Sequence, residues 1–282
     1  MFQRTLQTSG NGGVIMLTGE SELFLYNSVF YKCKASEYGG AIYFNAKESV
    51  LKLVCATECS IPGSQYATFA YIAVQSTNRN QANYVSVAKC SQTSQYANYA
   101  FCLSRGIMSI HNTNSSKNNL YHISGLGVVS PSQLDTKYNT LSNNAAVHSV
   151  CIQLSSTSGT LSYTNFISNS SPTAYGVVFV LNNGQYTLSK CVLHSNLNTL
   201  LYVMTGSLYL QDCILHHSST YLLGAVYTNN RNNSIGKIVE EKYIHFGSHN
   251  CINVNNYVHE TMKLRPSKMG VIFALSLLFF MK

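Results

Sequence analysis

Apolar and polar residues alternate in short runs that return at nearly regular intervals along the chain. Gly12-Gly13-Val14-Ile15 recurs as Gly39-Gly40-Ala41-Ile42, and weaker copies begin at Gly176 and Gly224. With further apolar runs, about eight such strands lie roughly 22 to 30 residues apart, a spacing typical of solenoids built from stacked repeats. The pattern therefore predicts one repeating coil rather than a set of unrelated strands.

A second strand follows most of these runs, and its apolar residues occupy every other position. This alternation predicts a strand with one buried and one solvated face. The pairs are Leu23/Leu25, Leu51/Leu53, Val85/Val87, Met108/Ile110, Leu161/Tyr163, Tyr186/Leu188 and Leu208/Leu210. The long interval between Met108 and Leu161 fits two coils with one poorly marked strand, expected near Gly125 to Val129.

A cysteine or an asparagine follows each second strand, and a third short apolar step comes next. These corner residues are Asn27, Cys55, Cys90, Asn112, Asn165, Cys191 and Cys213. Three short strands per coil, with a column of small or amide residues at a corner, fit a parallel solenoid in which like side chains stack. A β-sandwich or barrel also has short strands at intervals, but it does not require the same glycine start and Cys/Asn corner in every coil.

The predicted fold is all-β: a right-handed parallel β-helix of about eight to ten coils over residues 1–260, with a short hydrophobic helix at the C-terminus. We expect Gly12–Leu17 to lie beside Gly39–Phe44, and Cys191 to lie above or below Cys213. One continuous interior is expected to contain Ile42, Leu51, Leu53, Val178, Leu188, Leu208 and Leu210. The first coil is expected to be incomplete, because solenoid ends normally carry a capping segment.

Two tetrapeptides within these repeats resemble a known family. Gly39-Gly40-Ala41-Ile42 is a GGAI motif, and Phe166-Ile167-Ser168-Asn169 is an FxxN motif. Both are short motifs of the polymorphic outer-membrane proteins of chlamydiae and of the related Pmp-like surface proteins of trichomonad protists. GGAI occurs once and the sequence shows no C-terminal autotransporter barrel, which favours the protist type. The resemblance implies a cell-surface, adhesin-like β-helix with no catalytic residues.

A charged segment and then a hydrophobic run end the sequence. Residues 261–268 include Lys263, Arg265 and Lys268, whereas residues 269–281 carry no charge. The run fits a short membrane span flanked by lysines, or the tail of a lipid-anchor signal; the remaining alternative is an apolar element that closes the solenoid. We expect a basic juxtamembrane linker at 261–268 and a membrane anchor at 269–281.

The anchor predicts a membrane location at the cell surface. The first six residues lack the apolar core of a signal peptide, so the natural N-terminus is expected to be missing. Basic residues are more numerous before the hydrophobic run than after it, which would favour a cytoplasmic solenoid, and the orientation therefore stays open. Sequons at Asn114, Asn169 and Asn232 would accept glycans in a secretory compartment.

Composition and charge narrow the function. The chain has 45% hydrophobic residues, 20 tyrosines and only 10% charged residues, which is typical of a folded β protein. Its net charge of +8 comes from basic residues spread along the coils, and no nucleic-acid-binding module is recognised. Diffuse positive charge instead suits contact with an acidic cell surface or glycan.

Candidate catalytic residues are few. β-Helix enzymes that cleave acidic polysaccharides need paired carboxylates, either as acid and base or as calcium ligands. The two aspartates of the chain, Asp135 and Asp212, are expected about three coils apart. The cysteines contain no CxxC pair, and Cys55 and Cys59 have no histidine pair at ligand spacing. The sequence therefore predicts no metal, no cofactor and no enzyme activity.

The predicted function is a non-enzymatic, membrane-anchored surface module for adhesion or structural binding. Its expected partners are a membrane, contacted through the tail, and a host or cell-surface glycan or protein, with no nucleic acid. Two alternatives stay open: a β-helix polysaccharide lyase or hydrolase, and a non-functional fragment of a larger surface protein.

Overall fold

The computed structural model describes residues 2–3, 5, 9–62, 66–90, 98–146, 151–171, 175–215, 222–228 and 234–235, all within the unit Met1–Ser248. These residues form strands joined by turns, and none of them forms a helix. No helix long and apolar enough to cross a membrane occurs among them. The predicted linker at 261–268, and the hydrophobic helix and anchor at 269–281, lie outside the described residues.

Successive coils build parallel faces, and the first two faces contain strands from nearly every coil. The first face is a nine-stranded sheet of β2 (Ile15–Thr18), β4 (Ile42–Ala46), β6 (Ala70–Val74), β8 (Tyr99–Ser104), β12 (Ile123–Val129), β16 (Ile152–Ser155), β19 (Val178–Leu181), β22 (Leu201–Val203) and β25 (Leu222–Leu223). The second face contains β3 (Glu22–Tyr31), β5 (Glu48–Thr57), β7 (Arg79–Ala88), β9 (Ile107–His111), β13 (Gln133–Lys137), β17 (Ser158–Ser162), β20 (Gly184–Ser189), β23 (Gly206–Gln211) and β26 (Val226–Thr228).

The third face begins as a continuation of the second. Strands β3, β5 and β7 are ten residues long and pass through the first corner into the third face, where β1 (Phe2–Gln3) pairs with the end of β3. Later coils have separate third-face strands: β10 (Asn114–Ser116), β14 (Thr140–Ser142), β18 (Asn165–Ile167), β21 (Val192–His194), β24 (Ile214–Leu215) and β27 (Ser234–Ile235). A short pair, β11 (Asn119–Leu120) and β15 (Ala145–Ala146), follows this face.

The strand pairs are parallel and join neighbouring coils, so the chain is the predicted all-β parallel β-helix, of right-handed type. Ile15 lies beside Ile42, which confirms the stacking of the two Gly-Gly strands. The poorly marked strand is also confirmed, because β12 covers Gly125 to Val129. The weak copy at Gly224 is placed differently, since Val226 pairs with Leu208 on the second face rather than on the first.

One apolar interior runs through the coils. It contains most of the predicted set, namely Ile42, Leu51, Val178, Leu188, Leu208 and Leu210. The prediction for Leu53 is wrong: its side chain is 40% exposed, and its φ of 58° places it at the first corner, between the second and third faces. Tyr163 occupies the same corner with a φ of 49°. The alternating pattern continues past the last inward-facing residue and so does not reveal where the chain turns.

A residue with left-handed backbone turns the chain at the first corner of each coil. These residues have φ between 47° and 58° and are Asn27, Leu53, Tyr84, Asn112, Tyr138, Tyr163, Lys190 and Asp212. Left-handed backbone costs a non-glycine residue roughly 1–2 kcal/mol. The hydrogen bonds and packing of neighbouring coils must therefore offset a repeated conformational strain.

The predicted Cys/Asn corner column separates into several columns. Cys191 and Cys213 do lie in equivalent positions of adjacent coils, because Ser189 pairs with Gln211 and Val192 with Ile214. The others divide among the left-handed corner (Asn27, Asn112), the following third-face strands (Cys55, Asn165) and the second corner at the end of the third face (Cys90). Small and amide side chains suit all three positions, so residue type alone does not identify the column.

Candidate functional site

The GGAI motif is explained by two different demands on its glycines. Gly39 has a φ of 59°, a conformation that side chains disfavour. Gly40 has an ordinary backbone, but a Cβ atom there would lie 2.1 Å from the Thr68 carbonyl oxygen. Ala41 and Ile42 are fully buried. The motif residues therefore allow two coils to approach closely, and their role is structural.

The FxxN motif forms the second corner. Phe166 is fully buried in the interior, and Asn169 is fully buried at the turn. The Asn144 backbone N–H donates to Asn169 Oδ1 at 3.0 Å, and Asn169 Nδ2 donates to the Leu141 carbonyl at 2.8 Å. The same two bonds recur in successive coils at Asn118, Asn144, Asn169 and Asn196, which we call the asparagine ladder.

Two of the three predicted glycosylation acceptors lie inside the coils. Asn114 is buried, and its Nδ2 donates to the hydroxyls of Ser86 and Ser116 at 3.1 Å. Asn169 belongs to the asparagine ladder. A glycan on either amide would have to break these bonds, so both sequons are structural positions in the folded chain. Asn232 lies outside the described residues.

The polar second face carries the one cluster with an enzyme-like composition that we identified in the described coils. His111 Nε2 lies 2.9 Å from Asp135 Oδ2, and Lys137 Nζ lies 3.2 Å from the same oxygen. Ser109 Oγ is 3.4 Å from the same ring nitrogen, whereas a Ser-His-Asp relay uses the two ring nitrogens separately. As predicted, the other aspartate is three coils away, after β23, so the two aspartates do not form the carboxylate pair that glycoside cleavage uses.

Metal coordination is a second chemistry to consider for the side chains of the described coils. Within the ranges that the structure describes, no group of three or more His, Cys, Asp or Glu side chains is arranged to hold a metal ion. The buried cysteines include Cys33, Cys59, Cys90, Cys102, Cys151, Cys191 and Cys213. Burial raises the pKa of Cys151 to about 12, and it also raises the pKa of Cys102. Cys102 and Cys151 therefore stay protonated and behave as small apolar residues.

The outer surface of the first face carries a group of tyrosines, which we call the tyrosine patch: Tyr38, Tyr43, Tyr66, Tyr71 and Tyr99. Tyr43 and Tyr71 are paired residues of neighbouring strands, with ring centroids 5.8 Å apart. Tyr66 stacks between Tyr38 and Tyr99, at 5.3 and 6.3 Å. Edge and tilted contacts join the two stacks, and Tyr66 remains 39% exposed. The five rings are in continuous contact, and Tyr99 is buried at 7% exposure.

A polar cavity of about 190 Å³ lies on the same side of the coils, where the first face meets the second. It is lined by Gly19, Asn45, Ala46, Val74, Gln75 and Arg105. Arg105 Nη2 donates to Asn45 Oδ1 at 3.1 Å. Asn45 lies two residues beyond Tyr43 on the outward side of β4, so the cavity adjoins the tyrosine patch.

The electrostatics of Tyr71 connect the patch to the cavity. Burial raises the pKa of Tyr71 to about 12, while a hydrogen bond with Ser104 and the positive charge of Arg105 act in the opposite direction. Burial also raises the pKa of Tyr38 and that of Tyr99. The hydroxyls of Tyr38, Tyr71 and Tyr99 therefore remain neutral at physiological pH and can donate or accept hydrogen bonds.

Sequence reasoning did not find this site. The repeat pattern did not assign Tyr43 and Tyr71 to one column. The signal was present, because Tyr43 directly follows the GGAI motif and Tyr71 follows the equivalent residue Ala70. No known protein family, curated protein or solved structure matches this chain.

Proposed function

We propose that this protein is a non-enzymatic, surface-displayed β-helix that binds a glycan at the tyrosine patch. The observation that carries the proposal is the continuity of the stacked tyrosines with the Asn45–Gln75–Arg105 cavity. Tyrosine supplies a large contact area at low conformational cost, and small polar groups fix a ligand's orientation. Sugars combine apolar C–H faces with many hydroxyls and so match both parts of the site.

The scaffold supports this role. Tyr43, Tyr71 and Tyr99 lie on strands that are hydrogen-bonded to both neighbouring coils, so this part of the patch needs little ordering when a ligand binds. The cavity is smaller than the roughly 300–1,000 Å³ of sites that enclose whole small molecules. It therefore suits one sugar unit of a longer chain whose other units contact the tyrosines.

Surface display and membrane attachment are part of the proposal. The GGAI and FxxN resemblance supports a surface protein of the Pmp-like type, and the uncharged run at 269–281 supports an anchor. Full-length chain and a chain ending at residue 268 should be expressed in cells that process membrane-anchor signals. We expect only the shorter chain in the soluble fraction; equal recovery of both would remove the anchor from the proposal.

The glycan site is tested by Tyr66→Ala, which removes the ring at the centre of one stack. This ring also contacts Tyr71 of the other stack. Glycan-array screening of the wild type, followed by calorimetric titration of the best ligand, should show an affinity loss of roughly tenfold or more for the variant. Tyr209→Ala is the matched control, since Tyr209 is an exposed, stacked tyrosine on the second face. Equal losses in the two variants, or no glycan bound by the wild type, would contradict the proposal.

A further inference from the structure

Arg105 differs from four basic side chains of the described coils that lie beside a carboxylate. Lys32, Lys47, Arg79 and Lys137 each lie beside a carboxylate, whereas Arg105 is exposed and its hydrogen-bond partner is the neutral amide of Asn45. In the described part of the chain it makes no ion pair. A guanidinium group has five N–H donors, and only one of them is used in this contact.

Arg105 lines the cavity, so its positive charge can act on a ligand that binds there. Glu20 accepts a 3.4 Å hydrogen bond from Nε2 of the lining residue Gln75, and no ion pair joins Glu20 to Arg105 in the described residues. Asn78 Nδ2 donates to Gln75 Oε1 at 3.2 Å and holds that amide in place. The cavity wall thus combines the neutral amides of Asn45 and Gln75 with the guanidinium group of Arg105.

We propose that the glycan bound at the tyrosine patch is acidic, and that Arg105 binds a carboxylate or sulfate group on the sugar unit that enters the cavity. This inference rests on the proposed function and specifies its ligand class. The planar guanidinium can donate two parallel hydrogen bonds to such an oxyanion, a geometry that a lysine ammonium cannot reproduce. Asn45 and Gln75 then contact the hydroxyls of the same sugar unit.

The probes are galacturonate oligomers, the same oligomers with their carboxyl groups reduced to alcohols, and a sulfated galactan oligomer of equal length. We expect the full chain to bind at least one acidic oligomer roughly tenfold or more tightly than the reduced one. The carboxylated and sulfated arms distinguish the two sources of the oxyanion. Arg105→Gln should lower acidic binding to the level of the reduced oligomer, and Arg105→Lys should recover only part of the loss.

Lys52→Gln is the control, because Lys52 is exposed on the second face and its replacement changes the net charge by the same amount. Equal binding of acidic and reduced oligomers, or an acidic preference that Arg105→Gln leaves intact, would overturn this inference. In either case, a loss caused by Tyr66→Ala would leave the glycan site itself standing. Absence of binding to every oligomer would overturn this inference, whereas the glycan-array result for the wild type decides the glycan site itself. Unchanged thermal unfolding of the Arg105 variants establishes that they are folded.

Discussion

The second corner is built in two ways along the same solenoid. In the first three coils it contains Cys33, Cys59 and Cys90, and in the next four it contains the asparagine ladder. Both residue types contact the same backbone carbonyl of the preceding coil, three residues before its corner. Cys59 Sγ lies 3.9 Å from the Phe30 oxygen, and Asn169 Nδ2 lies 2.8 Å from the equivalent Leu141 oxygen. The thiol makes a weak contact where the amide makes a strong one.

Aromatic packing accompanies the cysteine corner. Phe2, Phe30, Phe69 and Phe101 contact one another in sequence through the interior of these coils, with centroid separations of 5.0 to 5.7 Å. Such contacts contribute about 0.5–1.5 kcal/mol each beyond their buried area. The same corner can therefore be stabilised either by apolar packing around a small side chain or by a ladder of hydrogen-bonded amides. The two arrangements should respond differently to substitution.

The largest expected effect follows from Asn144→Ala in the asparagine ladder. The change leaves the Asn118 N–H and the Ser115 carbonyl buried without their side-chain partner. Each such loss costs about 1–3 kcal/mol, so we expect the free energy of unfolding to fall by about 3 kcal/mol. Urea denaturation with an unchanged m value would measure it. Asn83→Ala, on the outward second face, should stay within about 0.5 kcal/mol; similar losses in both would break the comparison.

A smaller effect is expected at the cysteine corner. Cys59→Ala removes a fully buried sulfur whose contacts with the Phe30 and Thr57 carbonyls are 3.8 to 3.9 Å long. The loss resembles the removal of a small apolar group, about 1.5 kcal/mol, rather than the loss of a hydrogen-bonded amide. The same urea experiment applies. A loss as large as that of Asn144→Ala would mean that the thiol is a structural hydrogen-bond donor of equal strength.

The two corners should also differ in alkaline solution. Burial raises the pKa of Cys59 well above its ordinary value of 9.0, so the folded thiol stays protonated while the unfolded one ionises. The stability that Cys59 contributes is complete below pH 9 and decreases above it, by about 1.4 kcal/mol per pH unit. The difference between wild type and Cys59→Ala should therefore shrink between pH 9 and 10. The penalty of Asn144→Ala should not change, and a parallel change would refute the assignment.

The smallest expected effect concerns the first corner within the cysteine coils. Leu53 has a left-handed backbone and an exposed side chain, whereas the preceding coil has Asn27 at this position. Asparagine tolerates this conformation better than leucine, so Leu53→Asn should raise the free energy of unfolding by about 0.5 kcal/mol. Leu53→Val is the opposing control, since a β-branched residue should be destabilising there. A gain for valine would show that exposed packing, not backbone strain, governs the corner.

The fold was predictable because its main signals are local and repeated. Gly12-Gly13 and Gly39-Gly40 recur because the backbone at these positions does not accommodate a side chain. Alternation identified the inward residues of β20 and β23. Corner residues such as Leu53 could not be predicted from the sequence, because alternation carries no information about the sign of φ. The tyrosine patch required exact register between coils, and the paired strands shift by unequal numbers of residues, as Ile42–Ala70 and Ala70–Phe101 show. The role of Arg105 could not be predicted from the sequence, because it depends on the cavity that this residue lines.

The asparagine ladder has a direction. Each amide accepts from the N–H of the coil before it and donates to a carbonyl of that same coil, so a coil is completed only by its successor. A ribosome delivers the chain in this order. During synthesis, each emerging coil would therefore satisfy the buried groups of the one already formed, and a single unfinished corner would move toward the C-terminus as the chain grows. Translation and assembly would proceed in the same sense, one coil at a time.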